Sequence, residues 1–265
     1  MDIVEQILIG LATTFVGIVI GTIWQAARRG GVYWGSRRFW KPLLCGKLTI
    51  VADKFGPDNA PQLEGWEVSG LVGGGGMQAA LAVVELLEDI GLQRPGRRAS
   101  IVYGDDDDEI GKFLETNLFC IGGPDANKVT ENILRHAGYP IPENRGLVPG
   151  LQPGRVYEKN SGADANDGKN IMIVDYGRLI RIRNPYNEDR CVFILWGNSG
   201  YGTWGAAKLL RSRKLRSWRS VKRGLDVEIN FQTEIISRVA QEPSIIDKRE
   251  ISSRVPDLAV EDSSP

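Results

Sequence analysis

The segment Gly197-Asn198-Ser199-Gly200-Tyr201-Gly202-Thr203 sets glycines beside amide and hydroxyl side chains, directly behind the apolar run 191–196 and ahead of a helical pattern. Unhindered backbone N–H groups at such a strand-to-helix turn can cradle an anion, with Asn198 or Thr203 donating to it. The chemistry implied is recognition of a phosphate. Gly197 and Gly202 have P-loop spacing, but Thr203 and Trp204 stand where that motif needs Lys and then Ser or Thr, which argues against ATP hydrolysis by that machinery.

A second turn, Ile121-Gly122-Gly123-Pro124-Asp125-Ala126-Asn127, also follows an apolar run. Pro124 and Asp125 are helix-start residues, and Asn127 falls in the first helical turn, where its amide can meet a ligand or cap the neighbouring loop. Gly73 to Gly76 form a third turn, yet Gln78 occupies the last glycine position of G-x-G-x-x-G, so no dinucleotide fingerprint is present. The candidate ligand-binding residues are Gly122, Gly123, Asn127, Gly197, Asn198, Gly200, Gly202 and Thr203. Tight turning and close helix packing account for these glycines equally well; two such turns in one fold favour a ligand.

Carboxylates are the other reactive groups. Asp105 to Glu109 follow the apolar segment 100–103, an edge suited to Mg²⁺ held against a phosphate, although a solvated acidic run is the preferred reading. Ile110 stands where an EF-hand needs glycine, and 164–168 fail that register too. The single histidine, His136, excludes multi-His zinc sites and reads as a helix C-terminal cap before Gly138. No metal ligand, catalytic residue or cofactor is assigned.

The elements that must position these turns follow from periodicity. Residues 48–52, 100–103 and 118–121 read as strands, and glycine-rich turns open helices after Gly76, over 126–137 and after Gly202. The segment 171–182 reads as a hairpin around Asp175 to Arg178, and 225–236 alternate like a strand with one wet face. This order predicts a Rossmann-like three-layer α/β sandwich with a mainly parallel sheet and an inserted β-hairpin. Ligands in such sheets bind beyond the carboxyl ends of the strands.

From Gln6 to Ala27 run 22 uncharged residues, about 33 Å as a helix, which predicts a transmembrane anchor. Basic residues follow it and none precedes it, placing the N-terminus outside and the soluble domain in the cytoplasm of a single-pass cell-membrane protein. Residues 1–29 are thus the anchor and 30–46 a basic-aromatic juxtamembrane segment, with Tyr33, Trp34, Phe39 and Trp40 at headgroup depth. Residues 47–241 form the domain and 242–265 a flexible tail. Gly17 and Gly21 make a G-x-x-x-G face suited to a homodimer. The three well-separated cysteines, Cys45, Cys120 and Cys191, read as reduced thiols.

Net charge is zero, yet 190–223 hold nine Lys or Arg and no acid. That run suits the lipid bilayer; nucleic acid is disfavoured by the neutral total and the scarcity of stacking aromatics. An anchored α/β body resembles, in architecture alone, bacterial nucleotide sensors and effectors. The leading expectation is a membrane-anchored cytoplasmic domain that binds a nucleotide or other phosphorylated small molecule as a sensor or effector. The alternatives are a nucleotide or nucleoside hydrolase using Asp105 to Asp108, Asp125 or Asp175, and a ligand-free interaction scaffold.

Overall fold

The computed structural model describes residues 37–53, 74–90, 99–103, 111, 113–141, 148, 151, 155–157 and 171–251. Its strands are β1 (Leu48–Ala52), β2 (Ser100–Tyr103), β3 (Asn117–Ile121), β4 (Arg155–Tyr157), β5 (Ile171–Asn184), β6 (Asn187–Gly197), β7 (Val227–Ile236), β8 (Val239–Ala240) and β9 (Ser244–Glu250). They form one mixed sheet in the order β2-β1-β3-β6-β5-β7-β8, with β4 paired to β5 and β9 to β7. The fold is mixed α/β, and its sheet curls into a half-barrel.

The apolar runs of β3 and β6 are buried on both faces, as continuous rather than alternating hydrophobicity requires. On one face Ile50, Phe119, Ile121, Phe193 and Leu195 pack under α2 (Gly74–Asp89) and α4 (Gly200–Arg211). On the other, Val51, Leu118, Cys120, Val192, Ile194 and Trp196 pack under α3 (Lys128–His136). The short helices α1 (Arg37–Trp40), α5 (Arg213–Ser217) and α6 (Arg219–Arg223) complete the first layer.

Several expectations change. Three strand pairings are parallel and five antiparallel, so the sheet is mixed rather than mainly parallel. The hairpin turn does not fall at Asp175 to Arg178: β5 runs straight through them and turns at Pro185 and Tyr186. Asp-Tyr-Gly mimics turn chemistry, but Gly177 is there for packing, since a Cβ on it would lie 2.4 Å from Phe231 Cζ. The strand expected at 100–103 is exposed rather than buried, because β2 forms the sheet edge.

Residues 244–250, assigned to a flexible tail, form β9 on β7; one sheet neighbour suffices to hold a largely polar edge strand. Phe39 and Trp40, expected at headgroup depth, are buried. Phe39 and Trp40 lie 5.3 and 5.5 Å from the Phe193 ring, and Phe119 stacks on its far side at 4.7 Å. Apolar burial and ring packing outweigh interfacial placement for this pair.

Residues 6–27, with Gly17 and Gly21, lie outside the described residues, as do 105–109 and 164–168. Among the described residues no helix is long and apolar enough to cross a membrane.

Candidate functional site

Sequence dictates a reversal of direction at the carboxyl edge of the parallel strands. The connection after β1 leads to α2 on one face of the sheet, whereas β3 leads directly into α3 on the other. β1 and β3 are neighbours, so a crevice opens between their ends, the usual ligand position in α/β sheets. Asn127 laces that crevice at its base: its Nδ2 donates to Val51 O at 3.2 Å and to Ile121 O at 2.9 Å. Its Oδ1 caps α3 by accepting from Thr130 N at 3.1 Å.

Above the crevice lies a cavity of about 810 Å³, within the size range of small-molecule sites. The three glycine-rich turns converge on it: Gly74 and Gly75 open α2, Gly122 and Gly123 follow β3, and Gly197 to Gly200 lead from β6 into α4. The N-terminal ends of α2 and α4 meet at the cavity because Gly75 and Gly200 let their backbones touch. Each end carries roughly half a positive charge, a favourable field for an anion; at α4 the N–H groups of Tyr201, Gly202 and Thr203 are already taken by Ser199 and Asp175.

The 197–203 turn is held from below by Asp175. Its Oδ2 accepts from Ser199 Oγ and from Gly202 N, each at 2.5 Å, while its Oδ1 accepts from Tyr176 N at 2.8 Å. Burial raises the Asp175 pKa, and these donors oppose the rise. Ser199 in turn caps α4 by accepting from Tyr201 N, and Asn198 Oδ1 accepts from Val148 N at 2.6 Å.

Of the eight residues expected to bind ligand, Gly122, Gly123, Gly197, Asn198, Gly200 and Thr203 line the cavity. Asn127 and Gly202 do not; the first is occupied by capping and lacing, the second by its bond to Asp175. Asp175, a candidate for hydrolysis, lies outside the lining with both oxygens engaged, whereas Asp125 lines the cavity.

Sequence reasoning missed Asp53, Tyr201, Trp204 and Arg238, which also line it. Asp53 is the first polar residue after β1, the position where a strand meets the crevice. It is only 5% exposed, and its Oδ1 has no hydrogen-bond partner among the described residues. Burial pushes its pKa up to about 6 against the pull of its own backbone N–H, and the charge of Asp125 adds to the rise. Asp125 is likewise raised by burial, opposed by backbone N–H groups of its own and of Ala126.

Arg238 arrives by a tight hairpin. Ser237 and Arg238 join β7 to β8 with φ of 51° and 62°, both left-handed, as a two-residue turn between twisted strands requires. Neither residue is glycine, so no sequence signal marked the turn, and backbone strain is stored where the cationic side chain enters the site. Beside it Trp204 carries the Lys208 ammonium over its ring at 4.7 Å, and that ammonium also donates to Ala240 O, pinning β8 to α4.

Among the described residues no cluster of three or more His, Cys, Asp or Glu could hold a metal ion. His136 ends α3 and stacks on Tyr186 at 4.5 Å, away from the lining. Fold and cavity together define a mixed α/β protein with a glycine-walled site at a strand-end crevice. Comparisons with protein-family models, curated proteins and solved structures find no match.

Proposed function

We propose that this protein binds a nucleotide or another phosphorylated small molecule in the glycine-walled cavity. The observation that carries the reading is the convergence of two helix N-termini and a third glycine turn on one space of about 810 Å³. Tyr201 and Trp204 add aromatic wall for a base or sugar, and Arg238 adds a cation. On this reading the parallel half, β2-β1-β3-β6, works as a Rossmann-like unit, and the antiparallel half supplies Arg238. The body faces the cytoplasm behind an anchor at 6–27, optionally paired through Gly17 and Gly21, and acts as a sensor or effector at the lipid bilayer.

The test is ligand-dependent thermal stabilisation of the full-length protein in detergent, against nucleotides, dinucleotides and sugar phosphates. A ligand at 100 times its dissociation constant stabilises by about 2.7 kcal/mol. The blocking variant is Gly74→Val, because a Cβ at Gly74 meets nothing within 4 Å and so enters open space. Stabilisation that Gly74→Val abolishes supports the reading; no shift across the panel moves the proposal to a ligand-free scaffold.

A second reading is favoured by the two carboxyls in the cavity, Asp53 and Asp125, whose proton affinities are both raised. Such a pair suits general acid and base work in a nucleotide or nucleoside hydrolase. Turnover lost in Asp125→Asn with ligand binding retained would select it.

A further inference from the structure

The described side chains that line the cavity include three charged ones, Asp53, Asp125 and Arg238. Two acids in a site otherwise built to attract an anion are a physical contradiction that needs an explanation. They flank the Gly122–Gly123 step: a Cβ on Gly122 would lie 3.0 Å from Asp53 Cβ, and one on Gly123 would lie 2.9 Å from Asp125 Oδ1. Asp53 lines the cavity but is buried, and its Oδ1, which lies against Gly76 of α2, has no described donor, a state that calls for an ion, a water or a catalytic role. A phosphate resting on the N-termini of α2 and α4 would add negative charge to this pair.

A divalent cation resolves the contradiction. Mg²⁺ is usually held by one or two carboxylates together with substrate phosphate oxygens and water, not by a protein cage. The described residues supply a carboxylate pair and no larger ligand cluster. We propose that the cavity takes its phosphorylated ligand as a complex with a divalent cation, which Asp53 and Asp125 hold against the phosphate while the glycine turns hold the phosphate itself. The inference rests on the phosphate-binding reading above. Each partner completes the other's coordination, so cation and phosphate bind synergistically.

The experiment measures binding of inorganic pyrophosphate and of ADP to the full-length protein in detergent, with Mg²⁺ and with EDTA in its place. The wild type is expected to bind at least tenfold more tightly with Mg²⁺, and Mg²⁺ alone is expected to bind weakly. Asp125→Asn and Asp53→Asn should abolish the Mg²⁺ enhancement while keeping or improving metal-free binding, because a negative charge has been removed. Retained metal-free binding also shows that the variants are folded. Equal affinity of the wild type with Mg²⁺ and with EDTA overturns the cation and leaves the phosphate reading standing. Mg²⁺ enhancement that persists in both variants overturns the assignment to these carboxylates. No binding of either probe under either condition overturns both readings.

Discussion

A Cβ on Gly75 would lie 2.1 Å from the carbonyl oxygen of Gly200, so the first turns of α2 and α4 meet backbone to backbone. One residue earlier, Gly74 borders open space. These neighbours therefore respond oppositely to the same substitution. Gly75→Ala should destabilise the protein by about 1–3 kcal/mol through overpacking, whereas Gly74→Ala should be neutral or stabilise by up to about 1 kcal/mol. Urea unfolding of both variants checks this, and equal effects would refute the close approach.

Asp53 gives a pH dependence of defined sign. Its folded pKa of about 6 exceeds the unfolded value near 3.9, so the stability associated with its proton is fully present below about pH 3.9 and is lost as pH rises through 6. With EDTA present, Asp53→Asn should be more stable than the wild type at pH 8, by on the order of 2–3 kcal/mol. That gap should shrink towards pH 4. A gap that does not change with pH would contradict the buried, unpartnered carboxyl.

Arg238 couples strain to binding. Arg238→Gly removes a left-handed non-glycine residue and should raise stability by about 1 kcal/mol while weakening pyrophosphate binding about tenfold. Paired melting and binding measurements read the two effects separately. Unchanged affinity would remove Arg238 from the site.

The cysteines differ in reactivity. All three are free thiols; Cys45 is exposed, and burial pushes Cys120 and Cys191 up to about 12. At pH 8 a thiol-reactive disulfide reagent should titrate Cys45 rapidly and leave the other two untouched until the protein unfolds. A second fast thiol in the native state would contradict the packing of β3 or β6.

The candidate site is legible in sequence where glycine permits what other residues forbid: the turns at Gly122 and Gly197 both line the cavity. It was not legible where tertiary contact decides. Asp53 carries no local signature, since its position depends on β1 and β3 being neighbours. Arg238 sits in a turn without glycine or asparagine, and Asp175 looks like a turn residue because its three donors come from the next residue and from a turn 24–27 residues away. The parallel half was readable from its unbroken apolar runs. β9 was not, because SIIDKRE is largely polar and acquires strand structure only from its pairing with β7.

The aromatic packing of Phe39 and Trp40 against Phe193 has a consequence for biosynthesis. The two partners are separated by more than 150 residues of chain. At 5–20 residues per second, roughly 8–30 s pass between synthesis of the first aromatic pair and synthesis of the ring that covers it. During that interval the nascent chain carries Phe39 and Trp40 without the ring they pack on, so a pair buried in the finished core waits for a strand made much later.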